Sequence, residues 1–310
     1  MPDMRITHRQ IEAFRALMVS GSMTEAAQYL SVTQPAVSKI ISQLESELGF
    51  SLFERRQGKL SPTDDGYILY AEVEQSFAGL ERIKRAAKRI HDRTAGSLRL
   101  AVLPTFATGF IVHVARRLYQ TVGGLQLSIQ AYNSEEAVEL VASGLCELGF
   151  AMTPVDARRV HVGPVMSVPS FCILPPGHRL QDRHEISVGD LAGETFIATA
   201  EGTSSRLRTD ALFASMNISR RIQTEARWSL TISEFVQAGL GCSIVDGFTA
   251  ASFADRGGLV RPLREKLDFT FVCITPRVAS KSGTIRLFDE AFEIEFAAFQ
   301  ERLKALQHTP

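Results

Sequence analysis

Apolar positions along the chain fall into two regimes. Up to about residue 92 they recur every three or four residues, and beyond it short apolar runs alternate with amphipathic stretches. The first helix is expected over Thr7–Ser20, with Ile11, Phe14, Leu17 and Met18 inward, Thr7 as cap and Gly21 as an αL stop. A short helix over Thr24–Leu30 puts Ala26, Ala27 and Leu30 on one face. Ser31 and Val32 connect it to a third helix, where Thr33 is placed to cap and Pro35 falls in the first turn, where a missing N–H costs nothing. Val37, Ile40, Ile41 and Leu44 give that helix an apolar face, Gln34, Ser38, Lys39 and Ser42 a polar one, and Gly49 closes it. SLFERRQGKLSPT then reads as strand, turn and strand around Gln57 and Gly58. From Thr63 to about Asp92 a single helix of about 45 Å is predicted. Its apolar residues from Val73 through Phe77, Leu80, Ile83, Ala87 and Ile90 approach a heptad seam.

RTAG (93–96) breaks the pattern. Strand-like runs follow at 97–104, 125–132 and 145–152, with helices near 107–120 and 134–143 between them. A second set has strands at 194–200, 221–227 and 241–246 and helices at 204–216 and 229–238. FTFVCITP (269–276) and a helix bearing Ile285, Phe288, Phe292, Phe296 and Phe299 complete the chain. Such alternation specifies an α/β fold with parallel strands, and two βα units joined by extended segments suggest two lobes and a cleft.

The early helices carry the first candidate chemistry. Ala26 and Ala27 let two helices cross closely, as a helix-turn-helix requires. The polar face of the third helix suits a major groove. The candidates for DNA contact are Thr33, Gln34, Pro35, Ser38, Lys39 and Ser42, with Arg55, Arg56 and Lys59 on the wing beside the phosphates. Charge tempers this picture. The chain has 34 basic and 34 acidic side chains, and residues 1–60 hold seven Lys/Arg against six acids. Phosphate contact must therefore come from where these charges sit, not from their sum. The long helix has no neighbour in sequence to cover its seam, which points to a symmetric partner chain.

The run from FRALMVSGSMTEAAQYL through TQPAVSKIISQLESELG and SLFERR to SPTDDG resembles the N-terminal domain of LysR-type transcriptional regulators. S-x-T-x-AA-x-x-L, TQPAVS, L-E-x-x-L-G, LFER and PT-x-x-G stand in the family's order and spacing. VQAGLGCSIVD and ILPPGHRL are similar to the same family's second half. The resemblance implies an α/β chain with a winged helix-turn-helix over 1–62, a linker and dimerisation helix over 63–92, and a periplasmic-binding-protein-like effector domain over 93–310. Its lobe I would take about 97–165 and 270–305, and its lobe II about 166–269. The implied partners are double-stranded DNA at an interrupted palindrome, a small effector, and further copies of the chain as homodimer or homotetramer. Half-sites would lie about one helical turn, roughly 34 Å, or a multiple apart. LPTFATGF, CILPPGHRL and the stretch from SEFVQAGLGCSIVD to RPL are most similar to regulators of lysine biosynthesis and opine catabolism, which implies an amino acid or its derivative as effector.

In parallel sheets ligands bind beyond the carboxyl ends of strands, near helix N-termini. Four loops qualify: Pro104, Thr105 and Phe106; Asn133 and Ser134; Thr203, Ser204 and Ser205; Asp246, Gly247 and Phe248. Ordinary N-capping explains each alone, while convergence on one cleft favours a carboxylate site. Asp246 and Glu201 add negative charge suited to an ammonium or guanidinium.

Other chemistries find little support. The four cysteines form no CxxC pair and fall in or beside apolar runs, as buried thiols do. The histidines show no metal-ligand spacing, Gly239-Leu240-Gly241 follows a helix rather than a strand, and no Gly-x-Ser-x-Gly elbow occurs. No enzyme activity, metal or cofactor is expected. With no secretory segment and no long apolar run, the expected location is the cytoplasm, away from membranes.

Overall fold

Thr7 and Gln10 start the fold with a reciprocal pair of bonds. Thr7 Oγ1 accepts from the Gln10 N–H at 3.3 Å, and Gln10 Oε1 accepts from the Thr7 N–H at 2.7 Å, a capping box that launches α1 (His8–Ser20). The structure, a computed structural model, describes residues 6–56, 59–92, 97–107, 109–277 and 283–308. Its contacts divide the chain into two units, Met1–Ala87 and Lys88–Pro310.

In the first unit Gly21 ends α1 at φ 66° with its N–H on the Leu17 carbonyl. Helix α2 (Met23–Tyr29) is capped by Ser22 and so starts one residue before the sequence reading. Helix α3 (Gln34–Leu48) follows Ser31, which turns the chain at φ 55°. Thr33 precedes α3 in extended conformation, but its side chain makes no capping bond. Pro35 removes one donor that a cap would serve, and the Ala36 N–H turns to the Thr33 carbonyl at 3.0 Å. Ala13, Phe14, Leu17, Ala26, Ala27, Val37, Ile41 and Leu44 are buried together as the core of the three helices.

The wing is β1 (Phe53–Arg56) paired antiparallel with β2 (Lys59–Pro62). Glu45 fastens it to α3, its Oε1 accepting from the N–H groups of Leu52 (2.7 Å) and Phe53 (3.1 Å). Helix α4 (Asp64–Asp92) starts against the wing. A Cβ at Gly66 would lie 2.4 Å from the Leu52 carbonyl oxygen. This approach gives a physical reason for the glycine that ends the PT-x-x-G motif.

The second unit is built on a sheet ordered β4 (Gln126–Ala131), β3 (Ser97–Val102), β5 (Leu148–Met152), β11 (Asp268–Pro276), β6 (Val160–Leu174) and β10 (Leu259–Pro262). The first three are parallel, as expected, whereas β11 and β6 run antiparallel to their neighbours. Strand β6 joins the lobes. Val160–Pro169 pairs with β11, while Ser170–Leu174 pairs with β9 (Ser243–Asp246) and β10. The chain returns along β11. Strands β7 (Thr195–Thr199) and β8 (Arg221–Ala226) form a parallel pair beside β9.

Helices α5 (Phe110–Thr121), α6 (Ser134–Ala142), α7 (Ser204–Ser215), α8 (Ser229–Gln237), α9 (Gly247–Asp255) and α10 (Gly283–Gln307) cover these sheets. The phenylalanines of α10 pack on those of α5, β5 and β11, with ring centroids 5.0 Å apart for Phe150–Phe292 and 5.4 Å for Phe110–Phe292. Strand β6, helix α9 and strand β10 escape the sequence reading. Pro164 and Pro169 interrupt the alternation of β6, and α9 is buried nearly all round, so it shows no amphipathic stripe.

Candidate functional site

On α3 the residues predicted to read DNA do share one outward face. Thr33, Gln34, Pro35, Lys39 and Ser42 are exposed and Ser38 is half-buried, while Val37, Ile41 and Leu44 are buried beneath them. Gln34, Ser38 and Ser42 follow at four-residue steps, one edge of a helix, with Lys39 beside them. The wing backbone carries Arg55, Arg56 and Lys59 on its two strands; their side chains lie outside the described residues.

Within the second unit a cavity of about 240 Å3 opens between the lobes. Eight of the eleven residues predicted to hold the effector line it: Pro104, Thr105, Asn133, Ser134, Thr203, Ser204, Ser205 and Asp246. The starts of α6, α7 and α9 deliver six of them and the turn after β3 the other two; with the start of α8, four helix N-termini meet one cavity. Asn133 caps α6 through the Glu136 N–H (2.9 Å), and the Ser134 hydroxyl accepts from the Met152 N–H (2.9 Å), tying that helix to β5. Thr203 caps α7 through the Arg206 N–H (3.2 Å). Arg206 holds the same turn in place, donating to the Thr199 carbonyl (3.0 Å) and to Glu225 (2.6 Å). Behind it Arg220, pulled down to about 10 by burial and by Arg206 nearby, lies over the Phe213 ring at 4.4 Å.

Three predicted residues do not reach the cavity. The Phe106 ring is fully buried, 4.5 Å from Phe248 and 5.0 Å from Phe150 and Phe271, and its N–H is taken by the Leu103 carbonyl. Phe248 stacks on Phe299 at 4.6 Å. Gly247 faces the core, where a Cβ would meet Leu303 at 2.9 Å and the Pro169 carbonyl oxygen at 3.0 Å. These three belong to the packing that holds the cavity. The loop read at 246–248 is instead the junction of β9 and α9, with Asp246 as cap.

Asp246 is also less available than the sequence suggested. Its Oδ1 accepts from Thr105 Oγ1 (2.5 Å) and the Thr249 N–H (3.0 Å), and its Oδ2 from Thr249 Oγ1 (3.0 Å). Glu201 is 83% exposed, lies outside the lining and is 3.8 Å from Arg206. Glu135, Arg227, Trp228 and Ser229, not among the predicted residues, also line the cavity. Ser229 opens α8, a helix that was predicted, so the rule applied to the other loops would have found it. Trp228 provides no side-chain cap for α8, leaving that helix's first N–H groups open to solvent or ligand.

Two family models match the chain. Residues 8–67 fit the family model described as bacterial regulatory helix-turn-helix protein, lysR family. Residues 91–296 fit that of the LysR substrate binding domain. The chain belongs to the LysR family of transcriptional regulators, DNA-binding proteins and not enzymes. It is 34% identical over 303 residues to the regulatory protein NocR of Agrobacterium fabrum, covering 98% of this chain and 99% of that one. It is 35% identical to the octopine catabolism/uptake operon regulatory protein OccR of Rhizobium meliloti, covering 96% and 97%. Its fold is that of CbnR, solved in complex with its target DNA, at a TM-score of 0.70 and 19% identity over 94% of this chain and all of CbnR.

Proposed function

We propose that this regulator binds an interrupted palindromic operator as a dimer or dimer of dimers, and that an amino acid or amino-acid derivative in the interlobe cavity controls it. The observation that carries the first part is the face of α3, where Gln34, Lys39 and Ser42 are exposed and Ser38 half-exposed over a fully apolar underside. Gln34, Ser38 and Lys39 meet base edges or adjoining phosphates; Thr33, Pro35, Ser42 and the wing residues Arg55, Arg56 and Lys59 complete the contact. CbnR, similar in fold, has been solved on its target DNA. Division of labour follows the chain: 1–62 reads DNA, 63–92 dimerises and 93–310 holds the effector in its two lobes. Ile68 and Ile83 of α4 are 69% and 63% exposed, apolar surface that a partner's helix would cover.

Four helix N-termini and the polar side chains at them favour an effector with a carboxylate. OccR, by its name, governs octopine catabolism, and octopine is an amino-acid derivative. The effector acts only through its different affinity for the two arrangements of the dimer. A Gln–adenine pair contributes about 1–3 kcal/mol of discrimination, so Gln34→Ala should weaken operator binding about tenfold or more in gel shifts. Unchanged affinity for both Gln34→Ala and Lys39→Ala would remove α3 from the interface.

A further inference from the structure

The floor of the interlobe cavity runs into a smaller void of about 30 Å3, whose walls include Ser170, Arg208, Asp268, Ser229 and Asp246. The last two also line the cavity above, so the spaces adjoin. A void of this size exceeds the 10–15 Å3 that one water needs, and admits a head group of a few atoms.

Three charged groups face it. Arg208, in the second turn of α7, donates from Nη1 to the Asp268 carbonyl (3.1 Å) and from Nη2 to the Thr153 carbonyl (2.9 Å). Both acceptors are neutral; one lies just after β5 and the other at the start of β11. Among the described residues no carboxylate comes within 4 Å of this guanidinium. A guanidinium has five N–H groups, so three remain, together with an unanswered positive charge. Asp268 offers that charge no carboxylate, since its Oδ2 is 3.4 Å from Lys266. Asp246 has accepted three hydrogen bonds, two on Oδ1 and one on Oδ2. A carboxylate has about four lone-pair sites, so one is left, on Oδ2. The void thus presents one cation and two anions; Asp268 is held by Lys266, while Arg208 and Asp246 do not pair with each other and each has capacity to spare. A charge taken out of water without an ion partner is costly, and a ligand bearing the complementary charge recovers part of that cost.

We infer that this floor is a subsite for an α-amino-carboxylate head group, with the carboxylate on Arg208 and the ammonium on Asp246 Oδ2. A simple amine would leave Arg208 unanswered, and a phosphate, or a dicarboxylate head with no ammonium, would face Asp246. Only a group carrying both charges a short bond path apart meets both walls. The rest of the molecule then runs upward into the 240 Å3 cavity, past Ser204 and Ser205 towards Trp228, Arg227 and Glu135. The inference rests on the cavity being the effector site, and it narrows the effector to molecules that keep a charged α-nitrogen and its carboxylate.

Trp228 is the only tryptophan and lines the cavity, so its fluorescence reports occupancy in the full-length chain. The probes are the proteinogenic amino acids and octopine. Each one that binds is compared with its amide, its decarboxylated amine (agmatine for arginine, cadaverine for lysine) and its N-acetyl form. At least one parent compound should bind, with the amide, the amine and the N-acetyl form each at least tenfold weaker. Arg208→Gln should erase the preference for carboxylate over amide, and Asp246→Asn the preference for free over acetylated nitrogen. Should Arg208→Gln fail to fold, the analogue pairs on the unsubstituted protein decide by themselves. Analogues that bind as tightly as their parents overturn the head-group subsite, as does a panel in which nothing binds. Ser204→Phe, which crowds the cavity without adding a second tryptophan, separates the two readings. A ligand it blocks that lacks the α-amino-carboxylate overturns the subsite alone. An amino acid whose binding it leaves intact overturns the cavity as effector site.

Discussion

Replacing Asp246 by alanine tests the link between the cleft and the packing beneath it. The side chain is 6% exposed, caps α9 through the Thr249 N–H and accepts from the hydroxyls of Thr105 and Thr249. It therefore joins the loop after β3 to the start of α9. Loss of an N-cap costs about 1 kcal/mol, and a hydrogen bond to a charged group contributes about 1.5–3 kcal/mol. Desolvation of the carboxylate, relieved in the variant, offsets part of this, leaving a net loss of about 3 kcal/mol. For a domain of this size each kcal/mol lowers Tm by about 2–4 °C, so Asp246→Ala should melt roughly 6–12 °C lower. Trp228 lies in the second unit, so a melt followed by its fluorescence reports that unit and not the helix-turn-helix. Asp246→Asn keeps a good cap and one acceptor and should lose less than half as much. A Tm for Asp246→Ala within about 2 °C of the parent protein would refute the reasoning, because the carboxylate would then hold nothing together.

Other outcomes follow from the first unit and from the thiols. Lys39→Ala should reduce the salt slope of operator binding by about one, as expected for a single phosphate contact; an unchanged slope would take Lys39 off the backbone. Glu45→Ala frees two wing N–H groups, so operator affinity in gel shifts should fall while the Trp228 melt stays put. Gly66→Ala sets a Cβ against the Leu52 carbonyl oxygen and should destabilise the first unit by about 1–3 kcal/mol in urea unfolding followed by circular dichroism. Burial raises the thiol of Cys172 well above its ordinary value and that of Cys242 up to about 12, with the carboxylate of Glu194 adding to both. Neither should react with a thiol reagent at pH 8 until the protein unfolds. Above about pH 9 the unfolded chain ionises these thiols and the folded chain keeps them protonated. Stability should therefore fall as pH rises from 9 towards 12, and a Cys172→Ala, Cys242→Ala double variant should fall less steeply.

The face of α3 was legible because a helix repeats every 3.6 residues. Once Val37, Ile41 and Leu44 are assigned inward, Gln34, Lys39 and Ser42 have no other direction to point. The cavity was legible only in part. Asn133 and Thr203 were found because short polar residues before helices carry a capping signature. Arg208 was not, for its neighbours along α7 say nothing of the two carbonyls it reaches 55 and 60 residues away. Phe106 and Phe248 sit beside true lining residues in sequence, yet the cluster of rings around α10 draws them inward. Proximity along the chain could not show which way they turn.

The helix-turn-helix with its glycine stops at Gly21 and Gly49, its outward polar face, the wing, and the alternation of strands and helices were determined by the sequence alone, because local period and local backbone geometry specify them. The tertiary structure decided the rest: the antiparallel passage of β6 and β11 between the lobes, α9 as a buried helix, and the meeting of Arg208 and Asp246 at one void. Those depend on contacts between residues far apart in the chain, whose charges and carbonyls become neighbours only when the sheet is complete.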